Sequence, residues 1–343
     1  FYIVEESSEF TTPVDLRSYL LDLYTSTEKR LTGAYLIGDV PYAYQWFRLE
    51  YTNPNIPTSE QEVISFQYYA DLDGIFWASE EYTSPGSHLF SFDKHEGNLD
   101  WEIWVGLLPF YKGDQSQTIS AINRYFEKNH AYRQGEYTIP RAYLEINEFM
   151  KATTEEEHTK FIKLLQSGQY AWTPISEEPD AHIFFDSTSA EMTVEQGYHA
   201  LSEGVADFTV IQAHGSWQSS GSTNIDWVES NPVQTVFFYT GGCSTGNLDH
   251  AANYLTSILY SPTSQVLLAW GTTSESGGMG TNQDGFYGQN VAGDLSEGKS
   301  FGEAIREHVN TPLIPPYLEY RELHYSVQIF LGDPSLTFFP RNP

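Results

Sequence analysis

The chain has 343 residues, with 46 Asp and Glu against 17 Lys and Arg, a formal net charge of −29. No basic run exists that could follow a phosphate backbone, so nucleic acid is not an expected partner, while 24 Tyr, 21 Phe and 8 Trp exclude disorder as the main state. No apolar stretch approaches the roughly 20 residues of a membrane span, and a single cysteine, Cys243, excludes an internal disulfide framework and a multi-cysteine zinc site.

Asp15 to Arg30 reads as a first amphipathic helix, with Leu16, Tyr19, Leu20, Leu23 and Tyr24 at helical spacing and Asp15 as a cap. A short strand follows at Ala34–Ile37, stopped by Gly38-Asp39-Val40-Pro41. Beyond a Pro-containing loop come the aromatic run Phe66–Tyr69 and a second strand at Glu102–Val105, ended by Gly106 and Pro109. Gln115–Glu127 is predicted helical and marks passage into a second unit, so the division expected is an N-terminal α/β subdomain over 1–114 and a second, larger one over 115–343. From there strands and helices alternate. Strands are predicted at Arg141–Ile146, His182–Phe185, Phe208–Ile211, Thr235–Tyr239 and Gln265–Trp270. Helices are predicted at Glu155–Leu165, Val194–Ser202, Asp249–Tyr260 and Phe301–Val309. Strands alternating with helices of this length imply crossover connections and a largely parallel sheet covered on both faces. The chain starts at Phe1 without an initiator Met or signal peptide, so a mature or trimmed segment is expected. Its acid-rich composition suits a secreted or cell-surface setting, a salt-adapted protein, or simply a soluble one.

In such sheets, reactive residues gather beyond the carboxyl ends of the strands. The strand at Phe208 runs into His214-Gly215, and the strand at Thr235 runs into Gly241-Gly242-Cys243-Ser244, 29 residues after the histidine. A histidine facing a thiol can make a nucleophile competent near neutral pH. Gly215 would let a backbone N–H approach an oxyanion, and Gly241-Gly242 would let the chain turn to present Cys243. Taken singly, a lone cysteine is usually a small core residue and a strand-end histidine a structural one. The order and equivalent positions of the two favour the catalytic alternative.

Val210-Ile-Gln-Ala-His-Gly-Ser-Trp217 followed by Phe237-Phe-Tyr-Thr-Gly-Gly-Cys-Ser244 resembles the His-Gly…Cys signature of caspase-like cysteine peptidases, and within that clan the gingipain family. Tyr35–Pro41, Tyr68–Gly74, Glu102–Gly106 and Phe330–Leu336 resemble segments of the same family in the same order, over nearly the whole chain. The resemblance implies a caspase-like α/β/α sandwich with mostly parallel sheets in two tandem subdomains, and a cysteine endopeptidase. It implies His214 as general acid and base, Cys243 as nucleophile, the amides of Gly215 and Cys243 as oxyanion hole, and Glu148 as the acid that orients the histidine. Acidic groups near Glu155 and Glu156 would line a pocket for a basic side chain, although acids at a helix start also suit the macrodipole. Trp217 and the Gly-rich loop Ser274–Gly280 follow strand ends beside the dyad and would border the substrate groove. Two departures stand out: Leu107 occupies a position where the family often has Arg, and the family's C-terminal sandwich domain is missing, as expected of a catalytic core.

Other patterns compete. Gly242-Cys-Ser-Thr-Gly246 fits G-x-S-x-G, the nucleophile elbow of α/β-hydrolases, with Ser244 as nucleophile and His308 or His324 as base. That fold needs a helix and another strand between oxyanion loop and elbow, and the connection here has no strong helical pattern. Gly293–Ser300 spells a P-loop, yet no buried strand precedes it and Asp294 and Glu297 would repel phosphate, so a turn between helices capped by Ser300 is expected. Asp71-Leu-Asp73-Gly74 can seed a calcium loop, with Asp93 or Asp100 as further ligands, and the resemblance implies structural calcium. No cofactor is required for thiol chemistry, and no H-E-x-x-H spacing occurs among the ten histidines. The expected partner is a peptide or protein substrate. Transfer of the acyl group to an amine and a non-catalytic binding module retaining the fold are the alternatives.

Overall fold

The computed structural model describes residues 10–26, 31–49, 59–79, 90–111, 113–152, 156, 181–187, 193–274, 291, 293–311 and 327–338. Among them an eight-stranded sheet has the order β1-β7-β16-β15-β14-β10-β8-β9. These strands are β1 (Gly33–Gly38), β7 (Trp104–Pro109), β8 (Tyr143–Ala152), β9 (Ala181–Ser187), β10 (Phe208–Gln212), β14 (Phe237–Thr240), β15 (Leu268–Thr272) and β16 (Gln328–Gly332). All neighbours run parallel except β15 and β16, which pair antiparallel with Trp270 opposite Phe330. The sheet is thus two parallel blocks meeting at one antiparallel seam. β16 comes from the far end of the chain yet completes the block built by β1 and β7.

Smaller strands complete the fold. β2 (Tyr44–Leu49) pairs with β3 (Ser59–Ile64) and β5 (Ser91–Phe92), and β4 (Ile75–Trp77) with β6 (Lys94–Glu96). After β10 the chain makes a three-stranded hairpin sheet of β11 (Gly215–Ser216), β12 (Ser219–Ser220) and β13 (Thr223–Asn224). The helices are α1 (Pro13–Thr25), α2 (Gln67–Ala70), α3 (Gln115–Arg133), α4 (Val194–Glu203), α5 (Ile225–Ser230), α6 (Tyr254–Tyr260) and α7 (Phe301–Asn310). No helix among the described residues is long and apolar enough to cross a membrane.

Strand alternation sends Ile146 and Phe238 to one face and Tyr143, Phe208 and Phe237 to the other. α4 packs on the first face: a Cβ on Gly197 would stand 2.9 Å from Ile146 Cγ1. Tyr254 of α6 meets Phe238 on that same face, with ring centroids 6.4 Å apart. α7 covers the opposite face, where Phe301 stacks on Phe237 at 6.0 Å and Phe237 on Phe208 at 6.0 Å. Helices on both faces explain why β10, β14 and β15 are buried along their whole length and read as continuous apolar runs. Each such aromatic contributes about 1.5–3 kcal/mol by leaving water.

Several boundaries differ from the sequence expectation for local reasons. α1 begins at Pro13, because Thr12 and Asp15 form a capping box and Pro suits the first turn. The strand expected at Glu102–Val105 lies at Trp104–Pro109 and runs through Gly106. Glycine is tolerated there because a Cβ would strike Pro334 at 2.3 Å, so two segments of the family resemblance pack on each other. α3 extends six residues beyond Glu127, held by buried Asn129 and Tyr132. α6 starts at Tyr254 because Asn253 caps it, closing a box with Thr256. β14 begins at Phe237, since the N–H groups of Val236 and Phe237 both donate to Asp207 O. Phe66–Tyr69 falls largely in the short helix α2. Of the helix expected at Glu155–Leu165, only Glu156 lies within the described residues, and it is helical. Ser300 caps α7 with Glu303, as expected, and Lys299 pairs with Asp294 at 2.9 Å and Glu307 at 2.6 Å. The P-loop text is therefore a helix entry whose lysine is already neutralised.

Candidate active site

β10 and β14 lie side by side in parallel register, Ile211 opposite Thr240, and Gly241 N–H donates to Ile211 O at 2.9 Å. The two chains leave the sheet together. A Cβ on Gly215 would stand 2.6 Å from Gly242 Cα and 2.9 Å from Cys243 N, so only glycine lets the strands emerge this close. His214 is exposed and Cys243 half-buried.

Buried hydroxyls fix the Cys243 turn. Gly242 N–H donates to Thr240 Oγ1 at 3.1 Å, and that oxygen shares a 2.6 Å hydrogen bond with Ser220 of the hairpin. Thr245 Oγ1 donates to Gly242 O at 3.1 Å. Ser244 N–H donates to Ser274 O at 2.8 Å and lies 3.1 Å from Thr272 Oγ1. Ser244 has φ +58°, a left-handed conformation otherwise adopted by glycines among the described residues. The residue after the thiol thus carries local strain, which the surrounding bonds over-determine.

Glu148 follows on β8 and is half-buried. Its Oε1 accepts the Tyr198 hydroxyl at 2.8 Å and Ser222 N–H at 2.7 Å. Gly221, at φ +55°, permits this approach, since a Cβ there would stand 2.3 Å from Glu148 Oε1. Burial, with Tyr254 and Glu148 nearby, drives the Tyr198 phenol well above its ordinary range, so it stays a neutral donor. Among the described residues, Phe149 meets the His214 ring edge-on at 4.9 Å. Phe149 was not anticipated, though its place beside Glu148 on a strand paired to β10 was a usable signal.

The other expected residues separate. Trp217 is half-buried and stacks on His250 at 4.1 Å with the rings 9° from parallel, while its carbonyl accepts Tyr254 N–H at 2.7 Å. The loop before α6 is thereby locked beside the Cys243 turn. Ser274 is buried and its hydroxyl donates to Gln61 Oε1 at 2.6 Å, so its side chain serves the loop interior rather than a groove wall. Glu156 is exposed on its helix. Glu155, His324 and 275–280 of the Gly-rich loop lie outside the described residues. His308, the other base of the hydrolase alternative, sits on α7, which packs on β7, three strands from β14. Burial pushes its imidazole down to about 4. The connection from β10 to β14 holds one six-residue helix, α5, and no further strand of the main sheet.

Asp71 and Asp73 converge with Glu102, one oxygen of each lying within 4.8 Å of the others. Asp93 is turned elsewhere, to Ser79 N–H and hydroxyl. Asp71 Oδ1 accepts Gly74 N–H at 2.7 Å and Oδ2 meets His95 Nε2 at 2.9 Å. Glu102 Oε2 accepts Leu72 N–H at 2.7 Å, and Arg17 Nη2 donates to the carbonyls of Asp71 and Gly74. Both Asp71 oxygens and one Glu102 oxygen are thus engaged by internal groups, and Arg17 holds the carbonyls of Asp71 and Gly74. Burial, with Asp73 and Asp71 close by, raises the Glu102 carboxyl above its usual range.

The chain is similar in structure to the complex of Porphyromonas gingivalis RgpB pro- and mature domains, at 14% identity and TM-score 0.60 over 98% of this chain and 73% of that one. It is similar also to the Arg-specific cysteine proteinase gingipain R (RgpB), at 14% identity and TM-score 0.58 over 97% of this chain and 71% of that one. A third solved structure, described as a protease, aligns at 12% identity and TM-score 0.54, over 97% of this chain and 71% of that one. No protein-family model matches the chain, and no curated protein matches it by sequence. The fold is that of a gingipain-like, caspase-like α/β/α sandwich.

Proposed function

We propose that the chain is a cysteine endopeptidase in which Cys243 is the nucleophile and His214 the general acid and base. The observation that carries this reading is the backbone contact of Gly215 with Gly242 and Cys243, which seats the two residues at neighbouring strand ends. Cys243 Sγ attacks the scissile carbonyl carbon, and the oxyanion forms beside the N–H groups of Gly215 and Cys243. His214 delivers the proton abstracted from the thiol to the leaving amine, giving a thioester. It then takes a proton from water, which adds to the thioester carbonyl and releases the acid and the free thiol. Glu148 acts indirectly, by fixing the hairpin that begins at Gly215 through Tyr198 and Ser222, and Phe149 limits rotation of the imidazole. Trp217 on His250 offers a flat wall for the substrate chain. No step requires a metal. The basic preference of the resemblance rested on Glu155 and Glu156, and exposed Glu156 is the acid it retains among the described residues.

The test uses chromogenic peptides, a thiol alkylator and a fluorophosphonate on wild type and Cys243→Ala. Cleavage abolished by alkylation and by Cys243→Ala is expected. Fluorophosphonate labelling of Ser244 would favour the serine hydrolase, and turnover of no peptide would leave a binding module on the same fold.

A further inference from the structure

Gln212 ends β10, two residues before His214, and its side chain is 1% exposed. Neither Nε2 nor Oε1 has a hydrogen-bond partner. A carboxamide out of water with both ends unpaired is costly and rare in a native interior, so it calls for an explanation. The rest of its row supplies none. Asn147 stands opposite it on β8, but Asn147 Nδ2 donates to Glu145 Oε1 at 3.1 Å and its Oδ1 accepts Phe149 N–H at 3.1 Å, both along its own strand. On the other side the register reaches Gly241, which brings no side chain. The unpaired amide therefore lies two residues before His214, at the end of the strand from which the histidine leaves the sheet.

We propose that Gln212 is the floor of the subsite for the side chain preceding the scissile bond, and that this subsite takes a carboxamide, that of asparagine or glutamine. The inference rests on the peptidase reading for the identity of that side chain. The chemistry follows from having one orphan donor and one orphan acceptor side by side. A carboxamide pairs with both, N–H to Oε1 and C=O to Nε2. A guanidinium or ammonium supplies donors only and leaves Nε2 unpaired. A carboxylate leaves Oε1 unpaired and sits one row above buried Glu145. Sites whose polar groups are otherwise left unpaired discriminate strongly against ligands that lack the matching group.

The test is cleavage of a peptide library varied at the residue before the scissile bond, by wild type, Gln212→Leu and Gln212→Glu. Wild type should favour Asn or Gln over Leu and Arg by at least about 100-fold in kcat/KM. Gln212→Leu should lose that preference without lowering Tm, since no bond is broken. Gln212→Glu, offering acceptors alone, should move it toward Lys and Arg. A wild type that prefers basic or apolar residues, or Gln212→Leu that keeps the amide preference, overturns the proposal. Binding of the same peptides to Cys243→Ala gives a readout without turnover. Amide peptides bound about 10-fold more tightly than Leu or Arg peptides, with the margin lost in Cys243→Ala/Gln212→Leu, would support the subsite. Absence of cleavage alongside that margin would sink the peptidase reading alone, and equal binding of all peptides would sink the subsite.

Discussion

Replacing Gly215 by alanine places a methyl group 2.6 Å from Gly242 Cα, 2.7 Å from Gly242 C and 2.9 Å from Cys243 N. Ordinary carbon contacts need about 3.5 Å or more, so one of the two backbones must retreat by roughly 1 Å. No flexible side-chain tip can absorb the shift, because all three atoms are main chain. Overpacking of this kind costs about 1–3 kcal/mol in stability. A displacement of about 1 Å between reacting groups costs on the order of 100-fold in rate. Gly215→Ala should thus remain folded with a lowered Tm, lose about 100-fold in kcat and change KM little. Gly113→Ala is the control: no heavy atom lies within 4 Å of a Cβ there, and its φ of +65° imposes backbone strain alone. Steady-state peptide hydrolysis and thermal unfolding on both variants decide the matter. A Gly215→Ala enzyme with kcat within threefold of wild type would refute the claim that this contact sets the geometry of the pair.

Thr240→Val is nearly isosteric but leaves Gly242 N–H and the Ser220 hydroxyl without their shared partner, so it should cost about 1–3 kcal/mol in denaturant unfolding and lower kcat more than it raises KM. Ser244→Gly should relieve the left-handed strain and keep Tm at or above wild type, whereas Ser244→Val should lower stability by about 1–3 kcal/mol. Glu148→Gln retains an acceptor for Ser222 N–H and should keep most of the stability that Glu148→Ala loses, a difference of about 1–2 kcal/mol in urea midpoints. His308 is a base whose folded value, about 4, lies below the unfolded 6.5, so between these values the unfolded chain binds more protons and stability rises with pH. His308→Gln should flatten this part of the pH–stability curve by up to about 3 kcal/mol between pH 4 and pH 6.5.

Much of the C-terminal block of the sheet was legible because its strands are buried on both faces and read as apolar runs, with glycine where β10 and β14 leave the sheet. His214-Gly215 and Gly241–Cys243 were found in this way. β16 was not read as a strand, because a five-residue segment running into the glycine of Gly332-Asp-Pro looks like any short apolar stretch, and its partner, β15, is set by topology. The helix before Tyr260 was placed too early, since Asp249 resembles a cap until Asn253 is seen closing a box with Thr256. The role expected of Ser274 followed its chain position, but its hydroxyl turns to Gln61, some 200 residues away in sequence. Gln212 is the sharpest case. A glutamine within Val-Ile-Gln-Ala-His has no visible meaning until the register shows that Asn147 bonds along its own strand and Gly241 offers nothing.

The most direct test of the central claim is covalent labelling with a set of peptidyl acyloxymethyl ketones, followed by intact mass and peptide mapping. A single adduct on Cys243 is predicted, formed at least about 100-fold more slowly in His214→Ala because the thiol then lacks its proton partner. An adduct on Ser244, or equal labelling rates with and without His214, would contradict it.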